Sequence, residues 1–256
     1  MPLLTLITIT YNAERYLERT LLSVQRALRY LAAPAEVEYL LVDGASTDGT
    51  LALAQKYPGL LSGIVSEPDR GLYDAMNKGQ QRATGTYLWF LNAGDEIHDD
   101  QVLRRLLEAF QTPADAYYSD ALLVRDDGTP VGLRSQYTPH TLPHHLHWRD
   151  LALGMKVCHQ AFIVRHSLAP VYDITNLSAD LDWEIECLKR AQSVKYLDFV
   201  LCRYLVGGLS VQQHRRSLWD RFRVLRRHFG LAPTLLHHAQ ILWRGFWFAR
   251  RRGKYW

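Results

Sequence analysis

Cysteine is scarce in this chain. Its three cysteines, Cys158, Cys187 and Cys202, are too few and too scattered for a disulfide framework or a zinc cluster, and they read as reduced packing residues. Long apolar runs are also missing: none approaches the roughly 18–20 residues that span a bilayer. The opening stretch "MPLLTLITIT" has no basic n-region and no cleavage site, so cytoplasmic synthesis without export is expected. Two nucleotide-binding signatures are absent as well. There is no P-loop, and no Gly-x-Gly-x-x-Gly follows the first strand-like run, so P-loop and dinucleotide-binding readings lose their main support. No internal repeat or low-complexity segment breaks the 256 residues, a length that fits one large α/β domain with or without an appendage.

What is present is ordinary in bulk and uneven in place. A hydrophobic content of 48% with 22% charged residues suits a soluble globular protein. The net charge of +4 conceals an asymmetry. From His214 to Trp256 eleven Arg or Lys stand against one acid, Asp220, a net of +10, so residues 1–213 carry −6. The same segment holds Trp219, Trp243, Trp247 and Trp256, four of the seven tryptophans. It fits either a helical pair packed on the body with a solvated charged face, or an interfacial anchor attracted to acidic lipid. The second is the expectation for residues 213–256. Nucleic acid would match the charge, but no nucleic-acid module accompanies it, and no such partner is expected.

The first 110 residues alternate strand and helix patterns. "LLTLITIT", "EYLLVD", "GIVSE" and "YLWFLN" read as strands. Between and after them lie helices, with Leu17, Leu21, Val24 and Leu28 on one face of the first, and Val102, Leu103, Leu106, Leu107 and Phe110 inward on the fourth. Ser46, Thr47 and Asp48 offer N-cap oxygens for "TLALAQKY". Near-continuous apolar strands alternating with helices predict a mainly parallel sheet covered on both faces. The second half is less regular: a hairpin at Asp127-Gly128, an irregular loop over residues 134–157, a short strand in "CHQAFIVR", a helix starting at "DLDWEIECLKRA" and strand-like "VKYLDFVLCRYL". Gly230 and Pro233 separate two basic helical segments.

Ligands on such sheets sit outside the carboxyl ends of the strands. Four successive strands deliver polar, glycine-rich turns there: Thr10-Tyr11-Asn12, Asp43 to Thr50, Glu67 to Gly79, and Asn92-Ala93-Gly94-Asp95. Any one such turn is commonplace; four in register suit a nucleotide. Tyr11 offers a π-face, Asp43 an acceptor, Arg70 a forked cation, and Asp95 a hard oxygen for a divalent cation.

At this point the chain resembles a family. "TLITITYNAERYLERTLLSVQ", "LLVDGASTDGT", "SEPDRGLYDAMNKGQQRATGTYLWFLNAGD", "CHQAFIVR", "ADLDWEI" and "GGLS" are similar, in order and spacing, to glycosyltransferase family 2, nearest to bacterial enzymes of the colanic-acid and O-antigen type. The resemblance implies a GT-A fold and inverting transfer from a nucleotide-diphosphate sugar, with UDP-sugar preferred, to a saccharide or lipid-linked acceptor. It implies a catalytic domain over residues 1–212, nucleotide-binding over 1–110 and acceptor-binding over 111–212, with a helical extension over 213–256. It puts Thr10, Tyr11, Asn12, Asp43, Arg70, Asn77, Asn92, Ala93 and Gly94 on the donor. It puts a Mn²⁺ or Mg²⁺ ion at the Asn92–Asp95 turn, where the family has an Asp-x-Asp motif and this chain keeps Asp95 as its sole acid. The ion would then be held mainly by phosphate oxygens and water, with His159 a further candidate ligand.

Inverting transfer needs one carboxylate to take the acceptor's proton. Asp180 and Asp182 stand at a helix start, two residues apart and so on different faces, where one can equally cap the helix. By resemblance Asp180 is the base and Asp182 an acceptor contact. His159 and Gln160 are candidate sugar contacts, and Trp183 is open between stacking on a sugar and packing in the core. His140, His144, His145 and His147 lack acids at ligand spacing and read as an acceptor-covering loop. Two rival functions remain on the sequence: a nucleotidyltransferase, whose glycine-rich first loop is missing, and a catalytically silent nucleotide-sugar-binding protein, favoured by the reduced metal motif. Peripheral attachment at the inner face of the plasma membrane is expected from the extension.

Overall fold

The four apolar runs become four neighbouring strands: β1 (Leu4–Thr10), β2 (Val37–Asp43), β3 (Gly63–Ser66) and β4 (Tyr87–Phe90). The molecule is seen as a computed structural model that describes residues 1–207 and 214–252; of the "GGLS" stretch only Gly207 lies within the described residues. β1 is buried along its whole length and β2 except at Glu38, as strands covered on both faces must be. Further along come β5 (Glu96–Ile97), β6 (Ala116–Tyr118), β7 (Ala121–Val124), β8 (Pro130–Leu133), β9 (Phe162–Arg165), β10 (Val194–Tyr196) and β11 (Cys202–Leu205).

A seven-stranded sheet in the order β10-β6-β9-β4-β1-β2-β3 forms the centre, parallel except for β9, which runs antiparallel between β4 and β6. A smaller sheet, β5-β11-β7-β8, lies beside it. The register is what builds a site: Thr10 pairs with Asp43 and Asp43 with Ser66, so three strands end level. β9 reverses direction, so the residues just before it reach the same edge as the residues just after β4.

The helices are α1 (Glu14–Arg29), α2 (Thr50–Ala54), α3 (Leu72–Arg82), α4 (Val102–Phe110), α5 (Arg134–Tyr137), α6 (Ala179–Arg190), α7 (His214–Phe229) and α8 (Leu231–Arg252). α3 lies close on the sheet because Gly79 has no side chain: a Cβ there would stand 2.7 Å from Ile7 Cγ2. The core centres on Trp89, Phe90, Tyr39, Tyr117, Tyr118 and Phe162, all fully buried. Trp89 also donates from Nε1 to the Gln160 carbonyl at 2.8 Å; truncating such a side chain to Ala costs on the order of 3–5 kcal/mol.

Four local expectations need correction. "TLALAQKY" is helical only over Thr50–Ala54. "CHQAFIVR" becomes strand at Phe162; His159–Ala161 form a 3-10 turn that lifts two polar side chains off the sheet's end. The 134–157 loop holds α5 and a 3-10 helix at Trp148–Leu153. Gly230, in left-handed backbone at φ 84, separates α7 from α8, whereas Pro233 lies inside the first turn of α8, where its missing N–H has no helical partner to lose. The hairpin at Asp127-Gly128 forms as expected.

Candidate active site

The first two turns are locked together. The Asn12 N–H donates to Ser46 Oγ at 2.8 Å, and Asn12 Oδ1 accepts the Thr47 N–H at 2.9 Å. Asp48 Oδ1 accepts the Thr50 N–H at 3.0 Å, and its Oδ2 the Glu14 N–H at 3.1 Å, so one carboxylate serves the starts of α2 and α1. Asn12 sits at φ 48, a conformation asparagine tolerates. Its amide oxygen therefore shapes the loop. Tyr11 beside it is exposed at the rim.

Asp43 ends β2 beside this loop. It is fully buried, and both its oxygens are taken: Oδ1 by Thr10 Oγ1 at 3.0 Å and Ser46 Oγ at 2.5 Å, Oδ2 by the Ser46 N–H at 2.9 Å and Ser66 Oγ at 2.8 Å. Burial alone would raise this acid, but the bonds from Ser46, Ser66 and Thr10 outweigh it and hold the carboxyl below its ordinary value. A ligand N–H reaches Asp43 only by displacing one of these donors. Thr10 and Asp43 tie three strand ends together here. The missed acid is Asp69, whose carboxylate lies over Gly44 so closely that a Cβ at 44 would stand 2.2 Å from Asp69 Oδ2. Next to it Arg70 is exposed, with Nη2 donating to Asp74 Oδ1 at 3.1 Å.

The turn after β4 is clipped from α1. Thr20 Oγ1 donates to the Asp95 carbonyl at 2.7 Å and accepts the Gly94 N–H at 2.9 Å; Ser23 Oγ accepts the Ile97 N–H at 3.1 Å. Gly94 adopts φ 101 and lies under Leu205, whose Cδ2 would be 2.8 Å from any Cβ there. Thr20 and Ser23 went unremarked in the sequence, though both are polar residues within an apolar helical stripe. Asp95 is buried; its Oδ1 accepts the Leu205 N–H at 2.8 Å. Burial pushes its pKa up to about 7, against hydrogen bonds from the Leu205 N–H and the Gln160 side chain. Gln160 is buried and supports Asp95 while accepting the Cys158 thiol at 3.1 Å.

Asp180 opens α6, half-buried, with Oδ1 accepting the Leu181 N–H at 2.8 Å. Burial, and next the Asp180 charge, hold the Tyr73 phenol well above its ordinary value. His159 is buried, joined through Nε2 to Tyr172 Oη at 2.8 Å; burial lowers its pKa to about 4, only partly opposed by Asp180, so it is neutral at pH 7. Glu184, one turn after Asp180, is completely buried with neither carboxyl oxygen bonded. Burial raises it well above the ordinary value, Arg134 opposing and Asp180 adding. Tyr204 of β11 is raised by burial and then by charges that include both Asp95 and Asp180.

Three other candidates serve the frame. Asn77 Nδ2 donates to the Tyr172 carbonyl at 3.0 Å and its Oδ1 accepts the Tyr172 N–H at 2.8 Å, which ties α3 to the loop before α6. Trp183 is core: it stacks on Tyr172 at 5.0 Å between centroids and donates to the Pro170 carbonyl at 2.9 Å. Asp182 accepts from Arg227 and His228 of α7 and so anchors the extension to α6. The histidines of the 134–157 segment are dispersed as well. His147 caps the Trp148–Leu153 helix, His144 meets the Tyr196 ring, and burial lowers His140 to about 2.

A divalent cation fits the turn with few protein ligands. Among the site candidates, Asn92 Oδ1 and His159 Nδ1 are buried without a hydrogen-bond partner, and Asp95 is a carboxyl whose ionisation lacks compensation. An amide oxygen, a carboxylate and a neutral imidazole suit a cation whose remaining ligands come from a diphosphate. Among the described residues no group of three His, Cys, Asp or Glu could hold an ion alone.

Known proteins bear on this arrangement. The profile of Glycosyl transferase family 2 matches residues 5–169. A PGL/p-HBAD biosynthesis glycosyltransferase of Mycobacterium bovis (strain BCG / Pasteur 1173P2) is 30% identical over 220 residues, covering 82% of this chain and 79% of that one. The putative teichuronic acid biosynthesis glycosyltransferase TuaG of Bacillus subtilis (strain 168) is 25% identical over 238 residues, covering 89% and 90%. S. aureus TarS 1–349 superposes with a TM-score of 0.71 at 20% identity, over 99% of this chain and 74% of that one, and has also been solved with UDP and with UDP-GlcNAc. The architecture is the GT-A fold, and the chain belongs to glycosyl transferase family 2.

Proposed function

We propose that this chain moves a sugar from a nucleotide-diphosphate sugar, UDP-sugar first, onto a saccharide or lipid-linked acceptor, with inversion at the anomeric carbon, in cell-surface polysaccharide synthesis. The observation that carries the reading is the set of polar groups at the carboxyl edge of the sheet: the buried Asp95 carboxyl and the partnerless Asn92 Oδ1 follow β4, and the partnerless His159 Nδ1 precedes its antiparallel neighbour β9. The UDP and UDP-GlcNAc complexes of TarS support a nucleotide-sugar donor, and the relatives' names, PGL/p-HBAD and teichuronic acid biosynthesis glycosyltransferases, support a place in polysaccharide synthesis.

In this reading residues 1–212 form the catalytic domain, and residues 213–256 an extension held at the inner face of the plasma membrane. Asp180 accepts the proton of the acceptor hydroxyl as that oxygen bonds to the anomeric carbon from the face opposite the diphosphate. The bond from that carbon to the phosphate oxygen breaks, and its electron pair leaves on UDP. A bound Mn²⁺ or Mg²⁺ would neutralise charge on the diphosphate, with Asn92, Asp95 and His159 the residues able to hold it. His159, neutral and tied to Tyr172, offers Nδ1 toward donor or cation without adding charge. Tyr11 and Arg70 form the exposed rim available to a base or phosphate.

A panel of nucleotide sugars tested with saccharide and lipid-linked acceptors, with NMR of the product linkage, checks this reading. Transfer with an inverted anomeric centre is the expected result. The single acid of the Asn92–Asp95 turn favours one alternative, a silent nucleotide-sugar-binding protein of the same fold. Tight UDP-sugar binding without turnover anywhere on the panel would establish that alternative.

A further inference from the structure

Helix α8 is built inside out. Four of its polar residues face the protein: Thr234 is fully buried, His238 meets the Phe222 ring at 5.2 Å, His237 meets Phe229 at 6.3 Å, and Arg244 donates to the Pro139 carbonyl. Its large apolar residues face outward: Leu235, Leu236, Leu242, Trp243, Phe246 and Trp247 are all exposed, Leu236 by 72% and Trp243 by 65%. On a helix these six, together with Leu231, fall on one side. A solvent-facing stripe of this kind marks an interaction surface.

The geometry points to a bilayer containing acidic lipids as its occupant, with α8 lying in the plane of the interface and its outward face set into the headgroup region. This rests on the reading of residues 213–256 given above and deepens it by assigning the face. Three observations choose the occupant. The surface is a convex helix side, which a bilayer can accept along its length. Arginines flank it: Arg215, Arg216, Arg223 and Arg226 are exposed on α7, and Arg250 lies 6.0 Å from the Trp247 ring centroid. Trp219, also exposed and stacked on Phe222, extends the aromatic surface from α7 to the α8 contact. Apolar and aromatic side chains at headgroup depth with cations around them match an acidic interface. A second copy of the chain is a poorer match, since apposed extensions would bring together two segments of net +10.

Flotation of the full chain with vesicles of phosphatidylcholine, with and without phosphatidylglycerol, tests the proposal. Binding to the acidic vesicles is expected, with tryptophan fluorescence shifted to the blue and quenched by brominated acyl chains in the unaltered protein. Leu236→Ser with Trp243→Ser is expected to lower the partition coefficient by at least about tenfold, while leaving the melting temperature and UDP binding unchanged. No binding by the unaltered protein, or binding that survives this double change, overturns the proposal. A dimer dispersed by the same substitutions, without vesicle binding, overturns it in favour of self-association. UDP binding retained in either case leaves the glycosyl-transfer reading standing.

Discussion

Asn77 on α3 brackets the backbone of Tyr172, donating to its carbonyl at 3.0 Å and accepting from its N–H at 2.8 Å. The bracket sets Tyr172 where its hydroxyl holds His159 at 2.8 Å and its ring stacks on Trp183, three residues after Asp180. A residue of α3 thus acts on the surroundings of α6 through a loop. Asn77→Ala removes two buried hydrogen bonds and leaves their partners unsatisfied, at a cost of roughly 2–4 kcal/mol. Urea denaturation checks this. An unchanged midpoint with lost UDP binding would make Asn77 a ligand instead.

Asp180→Asn keeps the shape of the α6 start and removes the proposed proton acceptor. Transfer is expected to fall by about 10²- to 10⁴-fold, with the dissociation constant for UDP unchanged. Near-normal transfer in this variant would remove Asp180 from the role of base.

Asp95 gives a pH signature. The folded protein holds its proton up to about pH 7, while the unfolded chain releases it near the ordinary 3.8. Between these values the folded state binds the extra proton, so this acid lowers stability as pH rises from about 4 to 7. His159 acts oppositely: its folded pKa of about 4 lies below the ordinary 6.5, so its contribution raises stability over that window. Comparing the protein with Asp95→Asn isolates the first effect. The variant is expected to gain relative stability as pH rises, by up to about 4 kcal/mol at pH 8. Mn²⁺ with UDP is expected to stabilise the unaltered protein more than the variant. A stability difference independent of pH would show that the carboxyl is not held protonated.

Asp182 accepts from Arg227 and from the buried His228, which joins α6 to α7. Asp182→Ala leaves both cross-helix donors without their acceptor, a loss of roughly 1–3 kcal/mol. Hydrogen exchange is expected to report it as faster opening of α7 before the central sheet. Uniform loss across the molecule would mean the extension is not a separately weakened unit.

The strand ends were legible because period and apolar run length set them: a buried parallel strand leaves few alternatives, and Thr10, Asp43 and Asn92 fell where expected. The direction of the side chains was not legible. Whether Asp43 faces a ligand or four protein donors depends on where Ser46 and Ser66 arrive, which is a matter of register between distant strands. Asp182 and Trp183 sit in the same motif as Asp180, yet successive helix positions point about 100° apart, and only packing against Tyr172 and α7 reveals which of them face inward. Asp69 went unremarked for the same reason, since its place over Gly44 is a contact between two loops. The reversed polarity of α8 was also hidden, because periodicity reports an apolar stripe without saying which side meets the protein.

Calorimetric titration of UDP with and without Mn²⁺, into the unaltered protein and into Asp95→Ala, tests the central claim that the Asn92–Asp95 turn seats a diphosphate and its cation. The account predicts UDP binding strengthened by Mn²⁺, with the strengthening lost in Asp95→Ala. An unaltered protein that binds no UDP, or an Asp95→Ala variant with the full Mn²⁺ effect, would contradict it.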